Sequence, residues 1–129
     1  MSASITALYA ALISLLFLAC AVQVVRQRRR AGVGLGDGGD KALSRAVRVH
    51  GNLAEYAPIV LVLMLVYELN GGAAWLLHLL GGLFVLVRIA HAAGLGASAG
   101  TSTGRMVGTA GTWGVILVLA LLNLWQVLV

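Results

Sequence analysis

The fold of this chain is decided by residues 3–25, ASITALYAALISLLFLACAVQVV, which contain no charged side chain. This segment is long enough to cross the hydrocarbon core of a bilayer as a helix, which takes about 20 residues. Residues 106–129 are also uncharged, and residues 47–69 and 73–93 are apolar with a few embedded polar side chains. Backbone groups in lipid must find partners within the segment, and these runs lack the alternation of barrel strands. The sequence therefore predicts four membrane-spanning helices.

The amino-acid composition points to the same class of protein. Of the 129 residues, 60% are hydrophobic and only 10% are charged, whereas a soluble domain carries about 25% charged residues. This composition excludes an aqueous globular enzyme and a disordered tail, and the single Cys excludes a disulfide scaffold. We therefore predict one domain over residues 1–129, an all-α membrane protein built as a four-helix up-down bundle.

The first span has an alternative interpretation as a cleaved signal peptide. A signal peptide carries basic residues before its hydrophobic region. Residues 1–6 are uncharged here, and the basic cluster from Arg26 to Arg30 follows the span instead. That order is typical of a stop-transfer segment, so we expect the first span to be retained as a helix.

Basic residues predict the orientation of the four spans. By the positive-inside rule, the first and third connections, which carry the basic residues, face the cytoplasm. Both termini carry no basic residue and lie on the other side of the membrane. A basic run beside a span more often sets topology or contacts anionic lipid than binds nucleic acid, so we expect the lipid bilayer and no nucleic acid as its partner. The first connection contains Arg26, Arg28, Arg29, Arg30, Lys41 and Arg45, and the third contains Arg105.

Glycines mark two further features. The first connection is rich in Gly but matches neither the P-loop nor the dinucleotide-binding pattern, so it predicts a flexible cytoplasmic turn. Asp40 follows it as a candidate N-cap for the second helix. Gly104 and Gly108 form a GxxxG pair that permits close helix contact, either within the chain or between subunits.

A polar stripe runs along the second helix. At 100° per residue, Arg48, Asn52 and Glu55 fall within roughly 60° of one another, Tyr56 borders them, and His50 points to the opposite side. An ionised carboxylate within a span costs several kcal/mol unless it is paired or hydrated. The stripe is therefore expected to face the bundle interior or a polar cavity. Solvation is the ordinary explanation for Glu68, at the other end of this helix.

Arg88 and His91 add polar groups to the third span, near the same membrane face. Arg88 either pairs with Glu55 or binds an anion from outside the protein, and Arg48, Arg88 and Glu55 could form a self-neutralising network. Because uncharged polar side chains lie beside these charges, we favour a ligand site. No metal-ligand spacing is visible in the sequence, and we expect no metal.

These residues carry a resemblance to a known family. The run Arg48-x-x-x-Asn52-x-x-Glu55-Tyr56-x-Pro58 resembles the second-helix signature of the MAPEG family, the membrane-associated proteins in eicosanoid and glutathione metabolism. The segments Gly36-Asp37-Gly38-Gly39-Asp40 and Arg88-x-x-His91-Ala92 resemble its small bacterial members. The resemblance covers roughly residues 34–94, and the four-span length agrees across the whole chain.

The resemblance implies a homotrimer of four-helix subunits in a bacterial inner membrane, with glutathione as co-substrate bound between neighbouring subunits near the cytoplasmic face. An additional Arg in the family stabilises the thiolate of glutathione, and Arg105 is the nearest match. Arg105 and Arg88 are thus the candidate catalytic residues. The residues expected to hold glutathione are Arg48, Asn52, Glu55, Tyr56, Arg88 and His91.

Three functions fit these observations. The first is a glutathione-dependent transferase or peroxidase that conjugates or reduces lipophilic electrophiles from the bilayer. The second is a ligand-binding or scaffold protein of the same fold without efficient chemistry. The third is a small multidrug exporter, but exporters of that type place their essential Glu in the first span, and residues 3–25 contain no acid. We expect the first function.

Overall fold

The structure is a computed structural model that describes residues 2–97 and 102–129, and this part of the chain forms four α-helices. Each helix is long and apolar enough to cross a membrane, which confirms the four predicted spans. Two of the helices extend past their predicted spans into the basic connection. The helices are α1 (Ser4–Ala31), α2 (Lys41–Leu69), α3 (Ala74–Ala97) and α4 (Thr103–Leu128).

Contacts between helix ends establish the up-down order. The start of α1 lies against the end of α2 through Glu68 and against the start of α3 through Tyr9 and His78. The end of α4 reaches the end of α2, where Gln126 donates to the carbonyl oxygen of Tyr67. The helices α1 and α3 are therefore parallel to each other and antiparallel to α2 and α4. Within the described residues, α2 and α3 each contact all three other helices, and α1 does not contact α4.

The core lies between α2 and α3 and is closed by one face of α1 and one of α4. Leu53, Val60, Phe84 and Leu119 are almost completely buried. The outward face is also apolar, as the 66% exposure of Leu15 illustrates. Such an exterior suits lipid, because lipid places no cost on exposed hydrocarbon.

Glu68 caps the first helix rather than being merely solvated. Its carboxylate accepts hydrogen bonds from the backbone N–H groups of Ile5 (2.9 Å) and Thr6 (2.7 Å). The first N–H groups of a helix have no partner within it, and Ala3 at the N-cap supplies no side-chain acceptor. A carboxylate from another helix fills that role and also complements the positive end of the helix dipole.

The glycine-rich connection is bound to both helices that it joins. Asp40 caps α2 by accepting from the N–H of Leu43 at 2.8 Å, which confirms the predicted N-cap, and it pairs with Arg30 at 2.6 Å. The Leu43 N–H, followed by the Arg30 guanidinium, holds the pKa of the Asp40 carboxyl below its usual range. Arg28 donates to the carbonyl oxygen of Gly36 within the turn at 2.9 Å.

The GxxxG pair is used within the chain. A methyl group added at Gly104 would lie 2.8 Å from the carbonyl oxygen of Ala90, and one at Gly108 would lie 2.8 Å from that of Val87. Both distances are shorter than van der Waals contact allows, so only Gly lets α4 approach α3 this closely. At Gly114, an added methyl group would meet nothing within 4 Å.

Replacing Glu68 with Gln should lower the stability of the protein by about 1 kcal/mol, because an amide oxygen is a weaker partner for two N–H groups at a helix N-terminus. Thermal unfolding in detergent measures the effect. Glu55→Gln is the matched control, since it removes the same charge from the same helix at a side chain that pairs with Arg48 and caps no helix. Equal melting temperatures for the two variants would contradict the capping role.

Replacing Gly108 with Ala should destabilise the protein by about 1–3 kcal/mol, because the added methyl group overpacks the contact with α3. Gly114→Ala, on the same helix, should be neutral or slightly stabilising, since Ala favours a helix and has room there. The same unfolding measurement compares them. A Gly114→Ala variant less stable than Gly108→Ala would be inconsistent with this packing.

Candidate functional site

A cavity of about 590 Å³ opens between α2, α3 and α4 at one end of the bundle. We call this the basic end, where α1 and α3 finish and α2 and α4 begin. The volume lies within the range of small-molecule sites, about 300–1,000 Å³. The cavity is lined by Ser44, Arg45, Arg48, Asn52, His91, Ser102, Arg105, Met106, Thr109, Ala110 and Trp113.

Helical spacing places most of these side chains on two facing stripes. On α2, Arg45, Arg48 and Asn52 follow at intervals of three and four residues, which puts them on one face. On α4, a stripe with the same kind of spacing starts at Ser102 and includes Arg105. Ser102 is the N-cap of α4 and accepts from the N–H of Arg105 at 3.3 Å. The cap therefore fixes where the α4 stripe begins.

The cavity is strongly positive. Arg45, Arg48 and Arg105 line it, and none of its described lining residues is acidic. Guanidinium groups match the planar geometry of carboxylates, so a small molecule with carboxylate groups is the ligand that this cavity suits.

Arg88 lies behind the cavity wall rather than in it. Its side chain is 2% exposed, donates to Asn52 Oδ1 at 2.5 Å and to Thr112 Oγ1 at 3.3 Å, and lies 5.8 Å from the centre of the Tyr56 ring. It forms no ion pair with Glu55. The guanidinium thus orients the Asn52 amide, which does line the cavity, while its charge contributes to the positive potential there.

Glu55 and Tyr56 lie outside the cavity lining. Glu55 is on the outer face of α2, where its carboxylate is 3.5 Å from Arg48 and both side chains are more than half exposed. The stripe is expected to face the bundle interior or a polar cavity, which holds for Arg48 and Asn52. It is wrong for Glu55, because Val49, Leu53 and Ala57 form the buried face of α2 and Glu55 lies away from it. Tyr56 accepts a hydrogen bond from Trp113 Nε1 at 2.9 Å and so links α2 to the cavity rim.

The two histidines near this end differ in environment. His91 is 4% exposed, lines the cavity, and has no hydrogen-bond partner for Nδ1 among the described residues. His50 points toward α1, where its ring lies 4.4 Å from that of Phe17. Its predicted direction, away from the polar stripe, is confirmed.

Sequence reasoning missed Arg45 and Thr112. In the sequence, Arg45 is one of the basic residues that predict the topology. Its spacing of three residues from Arg48 also indicates that it lies on the same face of α2. Thr112 carried no such signal, because a lone Thr within a span more often bonds its own helix, as it also does here to the carbonyl oxygen of Gly108. Among the described residues, no group of His, Cys, Asp or Glu could hold a metal ion.

Comparison with known proteins agrees with the resemblance seen in the sequence. A model of the MAPEG family matches residues 6–125. The inner membrane protein YecN of Escherichia coli strain K12 is 40% identical over 121 residues, which cover 94% of this chain and 91% of that protein. YecN of Escherichia coli O6:H1 strain CFT073 matches to the same extent. Together with the four apolar helices, these relatives support a multi-pass inner-membrane protein.

Replacing Thr112 with Val should destabilise the protein by about 1 kcal/mol, because the variant keeps the shape but removes an acceptor for buried Arg88. Thr109→Val is the matched control, since Thr109 lies one turn away on α4 at the cavity wall. Thermal unfolding in detergent compares the two. If the control loses as much stability, Thr112 does not support the guanidinium.

Proposed function

This chain belongs to the MAPEG family, and we propose that it is a glutathione-dependent membrane transferase or peroxidase that conjugates or reduces lipophilic electrophiles. The positive cavity at the basic end carries the proposal. Glutathione bears two carboxylates and one ammonium, and Arg45, Arg48 and Arg105 offer three guanidinium groups to the carboxylates and to a thiolate. The cavity volume is sufficient for a small peptide of this kind.

The lining residues divide into two roles. Arg45, Arg48 and Asn52 share one face of α2 and bind the carboxylates and amides of the tripeptide. Arg105 lies across the cavity on α4, where its charge lowers the pKa of the thiol and stabilises the thiolate. The thiol proton passes to solvent, and the thiolate forms a C–S bond with the electrophile, either displacing its leaving group as an anion or adding to an activated double bond whose carbanion is then protonated by solvent. With a hydroperoxide, the thiolate cleaves the O–O bond and releases the alcohol, and a second glutathione reduces the sulfenic acid to give the disulfide and water. Arg88 acts through Asn52 as a positioning residue, because it does not line the cavity.

The acceptor substrate enters from the bilayer. Met106 and Trp113 line the cavity and remain 66% and 60% exposed on the outer surface of α4. One side of the cavity therefore borders the lipid phase, where a lipophilic electrophile concentrates. Glutathione is charged and enters from water, and the positive-inside rule assigns the basic end to the cytoplasm and both termini to the other side.

A homotrimer explains the exposed ion pair. Arg48 and Glu55 are 60% and 57% exposed within a single chain, although both belong to a membrane-spanning helix. Charged groups facing lipid are costly, so this face needs a cover. A neighbouring subunit packed on this face covers the ion pair. Glu55 then lies at the subunit interface, near the ammonium of glutathione bound between subunits. Native mass spectrometry of the detergent complex should count three copies.

An ultraviolet difference titration with glutathione near neutral pH tests binding and thiol activation together, because thiolate absorbs where thiol does not. We expect a saturable thiolate signal. Arg48→Ala should raise the Kd for glutathione about tenfold or more through the loss of a charge-assisted contact. Arg105→Ala should raise the thiol pKa by about one unit with a smaller effect on affinity.

His50→Ala is the matched control, because His50 lies on the same helix but packs against Phe17. It should leave both the Kd and the thiol pKa unchanged. If Arg48→Ala binds glutathione as tightly as the natural chain, the assignment of the site is contradicted. Saturable calorimetric binding without a thiolate signal would instead favour the alternative, a ligand-binding member of the family without chemistry.

A further inference from the structure

A second cavity opens at the basic end between α1, α2 and α3, and the proposed function does not use it. Its volume is about 300 Å³, at the lower end of the range for ligand sites. Residues of three helices of one chain form its wall. Four of its nine lining residues are alanines, and Val49 and Cys20 are also apolar.

Arg45 is the one charged side chain among the described residues of this wall. It is half-buried, and it forms no hydrogen bond or ion pair within residues 2–97 and 102–129. A half-buried guanidinium loses part of its hydration and gains nothing in return unless an anion reaches it. Arg45 also borders the first cavity, but its side chain is available to either one.

Two amides lie beside this guanidinium. Gln23 and Gln27 are one turn apart on α1 and both line the second cavity. Gln27 accepts a hydrogen bond through Oε1 from Arg30 Nε at 2.7 Å, which leaves its amide nitrogen to donate. Arg30 is in turn neutralised by Asp40. The polar part of the wall thus offers donors to an anionic group.

The polar wall residues of α1 and α2 lie toward the basic end, and the deepest wall residues of both helices are apolar. On α1, Gln27 is nearest the basic end, and Cys20 lies about 10 Å deeper at 1.5 Å per residue. On α2, Arg45 is likewise nearer that end than Val49. The cavity therefore has a cationic mouth at the level where lipid headgroups begin and an apolar floor toward the membrane centre.

We propose that the second cavity binds a single-chain anionic amphiphile from the bilayer, with its carboxylate on Arg45 and its hydrocarbon chain against the alanines and Cys20. A neutral amphiphile lacks the charge for Arg45, and a short carboxylate lacks the chain for the floor. This site shares Arg45 with the proposed glutathione site, and its other lining residues all lie outside the first cavity.

Laurate is the probe that tests this proposal. Native mass spectrometry of the protein released from neutral phosphatidylcholine nanodiscs measures the fraction of chains that carry it. The natural chain should retain laurate at saturation, and dodecanol and acetate should not be retained. Arg45→Gln should weaken laurate retention about tenfold, because a charge-assisted contact is lost. Ala42→Leu should weaken it as well, since the larger side chain narrows the cavity.

Two control variants separate this site from general effects. Arg26→Gln removes a cation from the basic end without changing the cavity wall, and Arg48→Ala alters only the first cavity. Both should retain laurate like the natural chain, whereas Ala42→Leu should leave glutathione binding unchanged. Equal laurate retention by Arg45→Gln and Arg26→Gln overturns the proposal. Equal retention of laurate and dodecanol by the natural chain overturns it as well. Both outcomes count whatever the result with glutathione.

Cys20 gives a second readout, because it is the single Cys of the chain and lines this cavity. Laurate should slow its alkylation by N-ethylmaleimide several-fold in the natural chain and much less in Arg45→Gln. Prior alkylation of Cys20 should abolish laurate retention, since the adduct fills the floor. Full laurate retention after complete alkylation would also refute the assignment.

Discussion

The guanidinium of Arg88 is almost completely buried among three helices, and the arrangement at the basic end of the bundle depends on satisfying it. In lipid there is no water to take the place of a missing partner, so the donors of this group depend on acceptors in the protein. Among the described residues, Nη1 and Nη2 have an acceptor and Nε has none. Asn52 and Thr112 supply acceptors from α2 and α4, and Tyr56 supplies an aromatic face. One charge from α3 thereby links both neighbouring helices at a single level.

The same requirement explains the contacts at the other end. Glu68 supplies acceptors for the unpartnered N–H groups at the start of α1, and Tyr9 bonds His78 across the interface with α3. The amides of Asn123 and Gln126 donate to carbonyl oxygens of α2. These contacts are local, directional and different from one another. In a bundle whose core and exterior are equally apolar, such contacts fix helix order and register, because hydrophobic burial alone does not distinguish the two surfaces.

The basic residues have two structural roles. Some hold the first connection, and others line the cavities. Arg28 and Arg30 bind the turn and the N-cap of α2, and so hold the connection. Arg45 and Arg48 project from the α2 helix into cavities instead. All four lie in helices, but Arg28 and Arg30 are in the last turn of α1, beside the connection, whereas helical spacing directs Arg45 and Arg48 to one face of α2. The basic residues from which the orientation is predicted thus include the two that line the proposed anion sites.

The sequence by itself determined the four spans, the N-cap at Asp40 and the polar stripe on α2, because span length, capping chemistry and helical period are local properties. The family resemblance also rested on a local pattern. Only the tertiary structure decided that Gly104 and Gly108 pack against α3, that Glu68 caps α1, and that Arg88 lies behind the cavity while Arg45 lines it. Each of these depends on which helix faces which, and at what level. Because the helices are apolar on all sides, the hydrophobic pattern of the sequence does not indicate which helix packs against which.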